Sequence, residues 1–134
     1  MNDQALEEIL KNCKTVAIVG ISPKNDRPSH RVAAFLQSKG YRILPVRPDE
    51  ESILGERVYR CLSEIPKEIE IDIVDIFRKS EEVPPIVEEA IQRNAKVIWM
   101  QEGVIHPEAA QRAEKAGLRV VMDRCMKKEH QRLL

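Results

Sequence analysis

Aromatic side chains are scarce in this chain of 134 residues: one Trp, two Tyr and two Phe, or 4% of the total. So few rings leave little material for the stacking platforms on which single-stranded nucleic acids lie. An excess of either charge is also missing. Twenty-two Lys and Arg balance twenty-two Asp and Glu, so the basic surplus that nucleic acids and anionic membranes attract is absent. Neither is expected as a partner, although a local basic cluster is compatible with a balanced total. No apolar run approaches the roughly 18–20 residues of a membrane span. Cysteine is limited to Cys13, Cys61 and Cys125, an odd number without a Cys-x-x-Cys pair. That pattern fits neither a disulfide framework nor a zinc site, and the expected compartment is the reducing cytoplasm. The first residues, Met1 to Glu8, are polar and acidic and do not read as a secretory signal. His30, His106 and His130 show no Ser-His-Asp or Cys-His order and no metal-ligand spacing, so no catalytic set and no metal site are assigned.

What is present is a composition of 33% charged and 43% hydrophobic residues, suited to one globular domain spanning 1–134. Residues 3–12 carry Leu6, Ile9 and Leu10 on one helical face behind a capping Asp3, and this N-terminal helix is expected to pack on the domain. The stretch Lys14-Thr-Val-Ala-Ile-Val-Gly-Ile-Ser22 reads as a buried strand running into a glycine turn. Pro28 and Ser29 then open a helix that ends before Gly40. Further strands are expected at 41–46, 55–59, 71–77, 96–100 and 118–122. Helices are expected from about Val83, after Ser80 and Pro84-Pro85, and from Pro107 to Ala116, with a short helix closing the chain. Apolar strands alternating with helices imply right-handed crossovers and a Rossmann-like parallel sheet of five to six strands, with helices on both faces. The expected order is 3-2-1-4-5, with the last strand at the far edge. On the fourth strand Asp75 stands among Ile71, Ile73 and Phe77, and a hydrogen-bonded structural carboxylate is expected there.

In such a sheet, ligands bind beyond the carboxyl ends of the strands. Here those ends are Gly20-Ile21-Ser22, Val46-Arg47, Phe77-Arg78, Gln101-Glu102-Gly103 and Asp123-Arg124-Cys125. A strand, a glycine turn and a helix form the first half of a phosphate-binding unit, because the backbone N–H groups there can receive an anion. The dinucleotide pattern G-x-G-x-x-G is not met, since Ser22 replaces its second glycine, and a lone glycine also suits an ordinary tight turn. An NAD site would carry an acid after the second strand to hold the ribose hydroxyls. Arg47 stands there instead and favours a phosphorylated ribose, as in NADP or coenzyme A. Lys24, Arg27, Arg78 and Arg124 add cations to the same rim, and His30 lies at the helix start within reach of a phosphate. Each of these charges is equally compatible with a solvated surface.

The motifs Val19-Gly20-Ile21-Ser22-Pro23, Pro45-Val46-Arg47-Pro48, Asp75 to Ser80, Trp99 to Val104 and Asp123 to Lys127 together resemble the small stand-alone CoA-binding proteins, the YccU-like group. The resemblance covers about residues 14–130. It implies a CoA-binding domain similar to that of succinyl-CoA synthetase alpha subunits and ADP-forming acyl-CoA synthetases. By that similarity Gly20, Ile21 and Ser22 face the pyrophosphate and Arg47 lies near the adenosine end. Phe77 and Arg78 flank the nucleotide, and Gln101, Glu102 and Gly103 line the pantetheine side. The group's usual loop is Pro-Val-Asn-Pro. Arg47 replaces its asparagine and is placed to charge-pair with the 3′-phosphate.

Cys125, with Arg124, Lys127 and Lys128 around it, either faces the pantetheine thiol or fills the pocket edge. Ligases of the related class use a phosphohistidine on a separate domain that these 134 residues do not contain. The expected function is therefore binding of coenzyme A or an acyl-CoA without complete catalytic machinery. The rivals are an NADP-dependent oxidoreductase and a subunit that binds a partner protein and no nucleotide.

Overall fold

A computed structural model describes all residues from Met1 to Leu134. The first helix, α1 (Asp3–Asn12), is capped by Asn2, whose Oδ1 accepts from the Ala5 N–H at 2.8 Å. The cap therefore lies one residue earlier than the expected Asp3, which becomes the first helical residue and places its charge at the positive helix end. The chain continues through β1 (Thr15–Val19), α2 (Pro28–Ser38), β2 (Arg42–Val46), the short strands β3 (Ser52–Ile53) and β4 (Glu56–Arg57), and β5 (Ile73–Ile76). After β5 come α3 (Val83–Gln92), β6 (Val97–Met100), α4 (Pro107–Lys115), β7 (Arg119–Val121) and α5 (Met126–Leu133). Pro84 and Pro85 fall in the first turn of α3, where their missing N–H groups have no helical partner to lose. One 3₁₀ turn, Ser80–Glu82, precedes them.

Five strands form one parallel sheet in the order β2-β1-β5-β6-β7. This is the expected Rossmann-like α/β fold with one correction. The segment 55–59 does not extend the sheet as a full strand. Glu56–Arg57 pairs backwards with Ser52–Ile53 in a two-stranded hairpin, and Tyr59 alone bridges Val46 of the edge strand. The cause is the turn between them: Leu54 and Gly55 both take positive φ, 55° and 75°, the geometry that closes a two-residue hairpin.

The core has two layers. Leu6, Leu10, Val32, Leu36 and Met126, from α1, α2 and α5, pack on the sheet face that presents Val16, Ile18, Ile73 and Trp99. Val83, Val87, Ala109 and Ala113, from α3 and α4, cover the face that presents Ala17, Val19, Val74 and Ile98. Strand residues are apolar in both directions because both faces are covered. At the amino-end pole, Asp72 ties three strands together. It accepts from the N–H groups of Lys14 (2.8 Å) and Thr15 (3.0 Å) and pairs with Lys96 at 3.1 Å. On the α3 side, the guanidinium of Arg93 donates to the carbonyls of Leu62, Ile65, Pro66 and Ile69, which fixes the irregular stretch before β5.

Candidate anion site at the carboxyl ends of the strands

Strand β1 leaves the sheet at Gly20, between β2 and β5, where the topology reverses direction. The Gly20 N–H donates to the Val46 carbonyl at 2.9 Å, and the Phe77 N–H donates to the Val19 carbonyl at 2.9 Å. Gly20 has φ +89°. A Cβ there would stand 2.6 Å from the Phe77 carbonyl oxygen and 2.7 Å from Arg78 Cδ. Only glycine accepts both the conformation and the approach.

The turn is then pinned to the helix that follows. The Ser22 N–H donates to Ser29 Oγ at 2.9 Å, the Ser22 carbonyl accepts from His30 Nδ1 at 3.0 Å, and Ser22 Oγ accepts from the Lys24 N–H at 3.1 Å. Helix α2 begins with Pro28, carries no side-chain cap and has no acid in its first turn. Its positive end is thus left to whatever anion lies in front of it.

In front of it is a cavity of about 570 Å³ lined by Gly20, Ser22, Lys24, Arg27, Arg47 and Phe77, with Glu50 its one carboxylate. Arg47 crosses from the end of β2 to the glycine turn. Its Nη1 donates to the Ile21 carbonyl at 3.0 Å, and its Nε meets Asp49 Oδ1 at 2.7 Å. That bond from Arg47 holds the Asp49 carboxyl below its ordinary value. A second cavity of about 320 Å³ opens on the other side of Gly20. It is lined by Arg47, Arg60, Cys61, Arg78, Glu82 and Ile86 among others.

The structure thus gathers Gly20, Ser22, Lys24, Arg27, Arg47, Phe77 and Arg78 around one turn. Ile21 is fully buried, lines neither cavity, and its carbonyl accepts from Arg47. His30 supports the turn through Ser22.

Gln101, Glu102, Gly103 and Cys125 line neither cavity. Gln101 is buried, and its Oε1 accepts from the Met126 N–H at 3.1 Å, starting α5. Glu102 pairs with Lys128 at 3.0 Å. The Gly103 N–H donates to Asp123 Oδ1 at 2.7 Å. Cys125 is buried among the residues beneath α5, at that helix's N-cap. Arg60, Cys61 and Glu82 were not singled out from sequence. Glu82 had a signal, four residues after Arg78 at a helix start, whereas Arg60 and Cys61 lie in irregular chain beyond the hairpin.

Asp75 departs from expectation. It is fully buried on β5 between Ile18 and Trp99, and neither carboxyl oxygen has a hydrogen-bond partner. Burial pushes its pKa well above the ordinary value, and the side chain is no part of the rim.

Known proteins share the sequence and the fold. A family model described as a CoA binding domain matches residues 14–131. The chain is 41% identical over 125 residues to the uncharacterized protein YneT of Bacillus subtilis (strain 168), covering 93% of this chain and 91% of that one. It is 29% identical over 130 residues to the alpha subunit of acetate–CoA ligase (ADP-forming) I of Pyrococcus furiosus, covering 85% of this chain but only 28% of the subunit. A solved structure of a hypothetical protein from Pyrococcus horikoshii OT3 superposes with a TM-score of 0.95 at 40% identity, covering 99% of this chain and 92% of that one.

Proposed function

The chain belongs to the CoA-binding domain family, and from that premise we propose that it binds coenzyme A or an acyl-CoA at the glycine turn, without complete catalytic machinery of its own. The observation that supports this most is the cavity on Gly20 and Ser22, whose lining holds Lys24, Arg27 and Arg47 and one carboxylate, Glu50. A ligand carrying a pyrophosphate and a ribose phosphate suits such a rim. The pyrophosphate lies against the turn and the open end of α2, where unpaired N–H groups and the helix dipole favour negative charge. Arg47, at the end of β2, takes the ribose 3′-phosphate. The second cavity carries the apolar side chains of Val19, Val46 and Ile86 among its lining. There the pantetheine arm finds its contacts.

No residue on the rim forms a nucleophile–base pair. The chain spans only part of the ligase subunit it resembles, and its role is that of a module that senses, stores or presents the thioester carrier in the cytoplasm.

A thermal-shift panel of CoA, acetyl-CoA, dephospho-CoA, NAD and NADP tests the reading. A ligand bound only by the folded state raises the melting temperature by mass action. CoA and acetyl-CoA are expected to raise it, dephospho-CoA less so, and NAD not at all. Arg47→Ala is expected to narrow the gap between CoA and dephospho-CoA. A selective response to NADP would transfer the site to a nicotinamide cofactor. No response to any member would favour a protein partner.

A further inference from the structure

On either side of the glycine turn, a cation facing the cavities already carries a carboxylate. Arg78 lies across Gly20 and forks onto Glu82, with Nε to Oε2 at 2.9 Å and Nη2 to Oε1 at 3.0 Å. Arg47 meets Asp49 at 2.7 Å. Both carboxylates are open to water: the side chains of Glu82 and Asp49 are 39% and 66% exposed. Exposed ion pairs of this kind are weak and exchange readily.

The arginine with a structural task is arranged otherwise. Arg93 gives its guanidinium to four backbone carbonyls and meets no carboxylate. Lys24 and Arg27, on the same cavity as Arg47, are in no ion pair. The rim therefore combines free cations with latched ones.

We propose that Glu82 is a specificity-determining residue, whose carboxylate occupies Arg78 in place of an anionic group of the ligand and yields only to a ligand that delivers several such groups together. Asp49 does the same for Arg47. A single small anion must displace a carboxylate with nothing else to hold it. A ligand already anchored at Lys24, Arg27 and the start of α2 presents its next anionic group at high effective concentration. The identity of that ligand rests on the CoA reading, whereas the latch is a property of the Arg78–Glu82 pair itself.

Calorimetric titration of the full chain with CoA and, separately, with inorganic pyrophosphate tests it, using the parent protein, Glu82→Gln and Asp49→Asn. Glutamine keeps an oxygen for the Lys79 N–H that Glu82 now accepts at 3.2 Å, so the start of α3 is preserved. Asp49 lies in an exposed loop and caps no helix. Removing one competing charge is expected to tighten both ligands by about 3- to 10-fold, the range of one ordinary net hydrogen bond at a solvent-exposed site. Pyrophosphate is expected to gain more than CoA, so the preference for CoA narrows. Unchanged or weaker binding in both folded variants overturns the latch while leaving CoA binding in place. If the parent binds no CoA, the CoA reading fails, and pyrophosphate still decides. Tighter pyrophosphate binding by a variant supports the latch, and no gain or no binding overturns it.

Discussion

At Gly20 two constraints coincide. The residue has φ +89°, and its missing Cβ leaves room for the Phe77 carbonyl and the stem of Arg78. An alanine must bear the left-handed backbone and push against a main-chain oxygen that cannot rotate away. Gly20→Ala is expected to cost at least about 2 kcal/mol of stability, from the backbone conformation and overpacking together. Urea denaturation followed by far-ultraviolet circular dichroism measures this, and CoA binding should fall in the same variant.

Asp75 makes a prediction about pH. Its folded-state pKa is raised by burial, so the folded chain holds a proton that the unfolded chain releases above about pH 4. Its contribution to stability is therefore complete at low pH and declines as pH rises toward the folded-state value. Asp75→Asn removes that decline. Its stability relative to the parent is expected to rise by about 1.4 kcal/mol per pH unit across that window, read from denaturation curves at a series of pH values. Parallel curves for the two proteins would contradict it. From sequence Asp75 looked like a bonded carboxylate, because alternation reports which way a side chain faces and nothing about what it meets there.

The amino-end pole depends on an element junction at Asp72. Burial works to raise its pKa, but the amides of Lys14 and Thr15 and the Lys96 ammonium outweigh it, and the carboxyl is held below its ordinary value. A lowered pKa gives stability that is present above about pH 4 and is lost as pH falls through the folded value. Asp72→Ala leaves two strand amides unpaired and is expected to cost about 2 kcal/mol at neutral pH and less under acid. The same stability measurement at pH 7 and in acid decides it.

Elements were legible where periodicity and punctuation agreed. The apolar runs around Ile18, Val74 and Ile98 gave strands, and Pro28, Pro107 and Gly40 marked helix ends. The stretch 55–59 reads as a short third strand of the sheet because its residue types suit an extended chain, and only Glu56–Arg57 is a strand, in a hairpin. Its pairing was set instead by the Leu54-Gly55 turn, and a leucine at positive φ is not a turn signal. Ser80 looked like a helix cap. The structure gives its hydroxyl to the 103–105 loop, where it accepts from the Ile105 N–H at 2.9 Å, and Glu82 takes over the capping.

Over the whole molecule, the balanced net charge conceals a polar arrangement. Lys24, Arg27, Arg47 and Arg78 collect at the carboxyl ends of the strands, and the acids Asp49, Glu50, Glu82 and Glu89 sit among them. The half of the rim built on β1 and β2 was legible because a glycine turn and the residue after the second strand follow directly from the fold. The burial of Gln101 and Cys125 away from both cavities was not. Gln101 helps start α5 across a separation of 25 residues, and Cys125 fills the core beneath that helix, contacts that no local pattern encodes.

The proposed site puts CoA on the turn at Gly20 with its 3′-phosphate at Arg47. An NMR titration of ¹⁵N-labelled protein with CoA tests this most directly. The largest amide shifts are predicted at Gly20, Ile21 and Ser22, at Arg47 to Asp49, and at Phe77 and Arg78, with the Arg47–Asp49 shifts reduced for dephospho-CoA. Shifts confined to the opposite pole, at Lys14, Lys39 and Tyr41, or no shifts at saturating CoA, would contradict it.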